Sequence, residues 1–176
     1  MLKSIVTCVS LLLLAGAAVA PQAVAQVAVY GEFSGTDLTN LAGTDDAFGG
    51  TVGVVVDGAN LGRHFILATN FQARFVDDSV ESLNSGSVGA RFEVPMRKGR
   101  LIPYGEFMLG FARYNKASAQ ISTTDFMIQF NGGVAKQVSP HWDAVVEFSY
   151  AQYYALGGQF NPKTVSIGAM YRFTKR

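Results

Sequence analysis

An eight-stranded antiparallel up-and-down β-barrel is the fold class that this sequence predicts, on three observations. Beyond residue 25, apolar and polar residues alternate with period two in eight stretches. Each stretch is bounded by clusters of Gly, Asn, Asp, Ser or Pro, the residues of turns. No segment past that point keeps a helical period, and no apolar run approaches the ~20 residues of a membrane-crossing helix.

Composition narrows the field further. A chain of 176 residues is one domain's worth. With 49% hydrophobic and only 15% charged residues, it is too apolar to be disordered. A formal charge of +1 offers no footprint for nucleic acid, and no nucleic-acid partner is expected.

Residues 1–25 read as a cleaved signal peptide, with Lys3 as the positive start, an apolar stretch from Val9 to Ala20, and Ala23-Val24-Ala25 as a small-x-small cleavage site. The apolar stretch is too short to span a bilayer. Residues 26–176 form the barrel domain. Removing 25 of the 176 residues leaves 151 and takes away Cys8, the one cysteine, so the mature protein is expected to use neither disulfides nor thiol chemistry.

The strands are predicted at about 27–34, 48–57, 64–76, 86–94, 101–112, 125–137, 142–154 and 164–173. The fourth sets Val88, Ala90, Phe92 and Val94 against Ser87, Gly89, Arg91 and Glu93. The fifth sets Phe107, Leu109 and Phe111 against Glu106, Met108, Gly110 and Ala112. In the sixth, Phe126, Ile128, Phe130 and Val134 oppose Gln129, Asn131, Gly133 and Gln137. The seventh opposes Trp142, Ala144, Val146, Phe148 and Tyr150 to Asp143, Glu147, Ser149 and Ala151. The eighth opposes Val165, Ile167, Ala169, Tyr171 and Phe173 to Thr164, Ser166, Gly168 and Arg172. Nine charges inside strands, Glu32, Arg74, Arg91, Glu93, Glu106, Lys136, Asp143, Glu147 and Arg172, are assigned to the small-polar face.

Alternation does not say which face is inside. A soluble ligand-binding barrel would turn its large apolar side chains inward; a transmembrane β-barrel inverts the arrangement. The polar face is crowded with Gly, Ala and Ser, which suits a narrow interior. Trp142, Tyr154, Tyr171 and Phe173 stand near strand ends on the apolar face, where interfacial girdles sit. The inverted, transmembrane reading is therefore preferred. The long connections at 35–47, 77–85, 114–124 and 155–163 are expected outside the cell. The short turns near Asp57-Gly58, Arg97-Lys98-Gly99 and Ser139-Pro140, with both termini, are expected in the periplasm.

Pro103-Tyr104-Gly105, the stretch from Gly132-Gly133-Val134 through Trp142 to Glu147-Phe148-Ser149-Tyr150, and the closing Val165 to Phe173 carry a family resemblance. Essentially the whole mature chain resembles the small outer-membrane β-barrel proteins of the outer membrane protein A, X and W type. Thr174, Lys175 and Arg176 follow Phe173, where that family usually ends on the aromatic residue. The resemblance implies an outer-membrane location, with membrane integrity, adhesion or host contact as the role; because the sequence ends with the barrel, no periplasmic peptidoglycan-binding domain is expected to follow. The implied partners are outer-membrane lipid and lipopolysaccharide, together with an extracellular partner on the four long loops; a monomer is expected. The alternatives are a narrow, porin-like channel or apolar-solute transporter, and the soluble secreted ligand-binding barrel.

An eight-stranded interior is just wide enough to be filled by side chains. Glu32, Arg91, Glu106, Glu147 and Arg172 are therefore predicted to form an interior charge network, with Arg91 near Glu106 and Glu147 near Arg172. A paired plug is preferred over a polar conduit, because buried charges must be matched. His64 and His141 begin strands on opposite sides of such a barrel and are not placed to share a metal. No nucleophile and base stand on neighbouring strands, so no catalytic residue, cofactor or metal is assigned. Asp45-Asp46 and Asp77-Asp78 with Glu81 lack the spacing of a calcium loop and read as solvated charge. The Gly doublets at 49–50, 132–133 and 157–158 read as relief of crowding.

Overall fold

The computed structural model describes residues 26–38, 46–61, 65–78, 81–96, 100–116, 121–155 and 158–174. The predicted signal peptide, His64, Asp45 and the turn at 97–99 lie outside the described residues. Nine strands follow in order: β1 (Val27–Asp37), β2 (Asp46–Asn60), β3 (Ile66–Asp77), β4 (Glu81–Glu93), β5 (Leu101–Lys116), β6 (Ile121–Gln137), β7 (Trp142–Ala155), β8 (Gly158–Phe160) and β9 (Lys163–Arg172). From β1 to β7 each strand pairs antiparallel with the next; β9 pairs with both β7 and β1. The seam runs from Ala28↔Arg172 to Asp37↔Lys163 and closes the barrel.

The eighth crossing is made by β8 and β9 together. It breaks at Asn161-Pro162, since proline has no N–H to give to a ladder. Ala151 N–H still donates to the Pro162 carbonyl at 3.1 Å, so the hydrogen bonding to β7 carries across the break.

The faces are inverted relative to a soluble barrel. Eleven of the thirteen phenylalanines are exposed, Phe33 at 59%, whereas the Glu93 side chain is fully buried. Phe107 packs on Phe130 with ring centres 5.3 Å apart, and Phe111 on Phe126 at 5.9 Å, as outward cross-strand pairs. Near the end that carries the start of β1 and the end of β9, Trp142, Tyr171 and Phe173 form an aromatic run with centres 5.1 and 5.3 Å apart.

Three expectations about extent and side are corrected. The strands run past their apolar stretches at the far end: β3 and β4 are separated only by residues 78–80, and β5 and β6 only by 117–120. The predicted long loops at 77–85 and 114–124 are thus largely strand, and connection length does not alternate. Backbone pairing needs no apolar side chain, so the ladder continues through a rim whose outward residues are polar: Asp37, Asp46, Asp77, Asn84, Arg113, Thr124 and Lys163. The turn expected at Asp57-Gly58 is a bulge instead, and β2 continues to Asn60. Lys136 faces outward and is exposed. Alternation passes unbroken through Gly132-Gly133, so Lys136 shares the side of Phe130 and Val134; one residue from the end of β6, its long stem can carry the ammonium away from the apolar band.

In bilayers, Phe130→Arg and Phe148→Arg will lower folding stability by ~2–4 kcal/mol, and Thr124→Arg, outward but on the rim, by no more than ~1 kcal/mol. Urea titration of the heat-modifiable gel band in lipid vesicles measures this; equal losses at all three sites would contradict the face assignment.

Candidate functional site in the barrel lumen

The lumen is layered. Leu38, Ala47, Val76, Leu83, Ala112, Tyr114, Met127, Ala151, Tyr153 and Phe160 form one buried apolar cluster at the rim end. Ala28, Tyr30, Val55, Ala68, Ile102, Tyr104, Ala135, Val145 and Met170 form another toward the turn end. Polar side chains lie between and among them. The sequence pattern did not reveal these inward apolar layers, because Met127, Val145 and Ala151 fall on the face that was sorted as polar.

All five residues of the predicted network point into the lumen and are buried. Arg91 stands opposite Glu106 in the β4–β5 register, and its Nη1 donates to Glu106 Oε1 at 3.0 Å. Its Nε donates to Glu93 Oε1 at 2.9 Å, and its guanidinium carbon lies 3.5 Å from the centre of the Tyr104 ring. Glu106 also accepts from Asn70 Nδ2 at 3.0 and 3.1 Å and from Asn131 Nδ2 at 2.7 Å.

Glu147 and Arg172 do not meet, contrary to expectation. In the β7–β9 register Glu147 stands opposite Ser166, several residues from Arg172. Arg172 Nε donates to Asp143 Oδ2 at 2.7 Å, and its Nη2 lies 3.7 Å from Glu93 Oε1. Glu147 accepts from Tyr104 OH at 3.0 Å, Ser149 Oγ at 3.1 Å and Gln72 Nε2 at 3.3 Å, with Arg74 Nη2 at 3.6 Å. Arg74 is held mainly by hydroxyls: Thr51 at 3.0 Å, Thr164 at 3.2 Å and Ser149 at 2.9 Å.

Two tyrosines carry this web across the lumen in the same way. Tyr104 lies over Gly133, its register partner on β6, and so reaches Glu147 one strand further on. Tyr30 lies over Gly53 on β2 and meets Gln72 on β3 at 3.2 Å. A Cβ at either glycine would stand 2.4 Å from the tyrosine ring, so these positions exclude a side chain. Arg74, Glu93, Asp143, Asn70, Gln72 and Asn131 were not in the predicted network. Their parity with the inward charges was the available signal, as was the repeated Tyr-Gly-Glu-Phe at 30–33 and 104–107. His141 is engaged outside this web, with Nδ1 2.9 Å from the Arg172 carbonyl oxygen.

A closed ring of strands with hydrocarbon side chains outside and charged and polar side chains within defines a transmembrane β-barrel. The chain matches the outer membrane protein beta-barrel domain over residues 7–173 and belongs to that family; it lies in the outer membrane. Solved structures similar to it include Neisserial surface protein A, with a TM-score of 0.57 at 14% identity, covering 86% of this chain and 97% of that one. The attachment invasion locus protein Ail of Yersinia pestis gives 0.52 at 15%, covering 85% and 97%. The outer membrane enzyme PagL gives 0.53 at 11%, covering 81% and 98%. At such identities the likeness is one of fold. No curated protein matched the chain by sequence.

Glu106→Gln will cost about 2–3 kcal/mol of folding stability, less than the ~3–5 kcal/mol of a fully orphaned buried charge because Glu93 still holds Arg91. Combining it with Arg91→Met should cost less than the sum of the two changes. Denaturant midpoints of the four proteins test this; strict additivity would show that the two side chains do not interact.

Proposed function

We propose that this protein is a structural, surface-interacting barrel of the outer membrane, closed to solutes and without enzymatic activity. Its sides meet outer-membrane lipid and lipopolysaccharide. A partner outside the cell is met by the polar rim and by the connections that join β1 to β2, β3 to β4, β5 to β6 and β7 to β8. The observation that carries this reading is the sealed lumen: apolar side chains are buried at both ends and a paired polar layer lies between. A conduit would leave a wetted path, whereas most of the polar side chains here bond one another across the lumen. The interior hydroxyls are joined to one another: Ser34 bonds Thr51 at 2.7 Å and Ser166 at 2.8 Å, and Thr36 bonds Thr164 at 2.9 Å.

The rim end faces outward in this reading, because the strands there continue into polar surface while the opposite end closes on an aromatic run and the Ser139-Pro140 bend. An epitope placed in the β3–β4 or β5–β6 connection will be labelled on intact cells, and one at Ser139-Pro140 only after permeabilisation. The reverse pattern would overturn the orientation. In planar bilayers the purified barrel will show no stepwise conductance; regular steps would overturn the closed lumen.

A further inference from the structure

The Tyr-Gly-Glu-Phe repeat places Glu32 on β1 and Glu106 on β5 in equivalent settings, each two residues beyond a tyrosine that lies over a glycine. Their surroundings differ on both adjoining strands: Asn131 stands opposite Glu106 where Thr51 stands opposite Glu32, and the second difference is one of charge. The residue opposite Glu106 on the adjoining strand is Arg91, which binds it. The residue opposite Glu32 on the adjoining β9 is Gly168. A Cβ at Gly168 would stand 2.1 Å from the Gly31 carbonyl oxygen, so no cationic side chain can be carried there.

Glu32 is 7% exposed, and its Oε2 has no hydrogen-bond partner among the described residues. The charges that act on it across the lumen are Glu147 and Glu106 against Arg74 and Arg91. Arg91 is paired with Glu93 and Glu106, with its Nη2 left without a partner among the described residues, and Arg74 donates to Thr51, Thr164 and Ser149 and stands 3.6 Å from Glu147. In the central polar layer the buried carboxylates are Glu32, Glu93, Glu106, Asp143 and Glu147, and the arginines beside them are Arg74, Arg91 and Arg172. A proton would lessen the charge but bring no donor to Oε2, to which no described group donates. A water would offer a partner but leave the charge. A cation answers both. No three described His, Cys, Asp or Glu side chains converge as a divalent site requires. The adjacent inward oxygens are hydroxyls instead: Ser34, the next inward residue of β1, and Thr51, the register partner of Glu32, joined to each other at 2.7 Å.

We propose that Glu32, with Ser34 and Thr51, holds one monovalent alkali cation, enclosed as the barrel closes and serving as the counter-charge that β9 cannot supply. The purified barrel in detergent micelles is melted in sodium, potassium or N-methyl-D-glucamine chloride at equal ionic strength, and followed by the heat-modifiable gel shift. The wild type should melt several degrees higher in at least one alkali salt, with a dependence that saturates. Glu32→Gln should melt at one temperature in all three, while Glu106→Gln, though weakened, should keep the dependence. Identical wild-type melting in the three salts would overturn the proposal and leave a neutral or hydrated carboxyl. Should Glu32→Gln fail to fold, sodium-23 relaxation of the wild-type protein with potassium competition decides: a displaceable bound component supports the site, and its absence overturns it.

Discussion

In hydrocarbon no water is available to bond a free N–H or C=O, so every backbone polar group must find its partner within the protein. The β1–β9 seam is how this chain meets that constraint, and the other features follow from it. Closure leaves no sheet edge facing lipid. Closure of eight strands also fixes the bore at about the width of its own side chains. Inward positions must then be filled, and any charge among them must be matched. The Pro162 break is tolerable for the same reason: the proline's own carbonyl is still used as an acceptor by Ala151.

How much of this was legible in the sequence follows from what each signal reports. Side-chain parity is a local property of extended chain, and it placed Glu32, Arg91, Glu106, Glu147 and Arg172 in the lumen from their apolar neighbours alone. Strand ends were less legible, because apolar content marks where lipid begins and ends, whereas hydrogen bonding continues through Asp77, Asn84 and Arg113. Lys136 was grouped with the inward charges by its chemistry, although its parity with Phe130 and Val134 already set it on the outward face. Pairings depend on register, which counting from turns recovers only when the turn is placed correctly. The Arg97-Lys98-Gly99 count brought Arg91 to Glu106, while Glu147 came out several residues from Arg172.

The lumen repeats a device in its two halves. Tyr30 over Gly53 and Tyr104 over Gly133 each carry a hydroxyl across one strand to the next, so a short side chain does the work of a long flexible one at lower entropic cost. Each tyrosine also screens the polar layer from the apolar cluster at the turn end, to which both belong. The halves part company at the adjoining strand, with Arg91 in one and Gly168 in the other. Gly168 is the tighter constraint, because its approach to the Gly31 carbonyl is imposed by the closing seam itself.

A buried ionic layer contributes little net stability relative to well-packed apolar residues, since desolvation offsets most of the attraction. Its value in this barrel lies in specifying register. If both faces of every strand were apolar, sliding one strand by a single residue would exchange two equally greasy faces at small cost. With Arg91, Arg74 and Arg172 on one face, the same slip turns a guanidinium toward lipid, at ~2–4 kcal/mol for each residue near the midplane. It also strips the carboxylates that remain inside of their partners. The penalty grows with the number of charges displaced, whereas hydrocarbon packing hardly distinguishes the two registers. The charged lumen thus acts chiefly against misaligned closures, and the apolar layers at either end keep water from relieving that penalty.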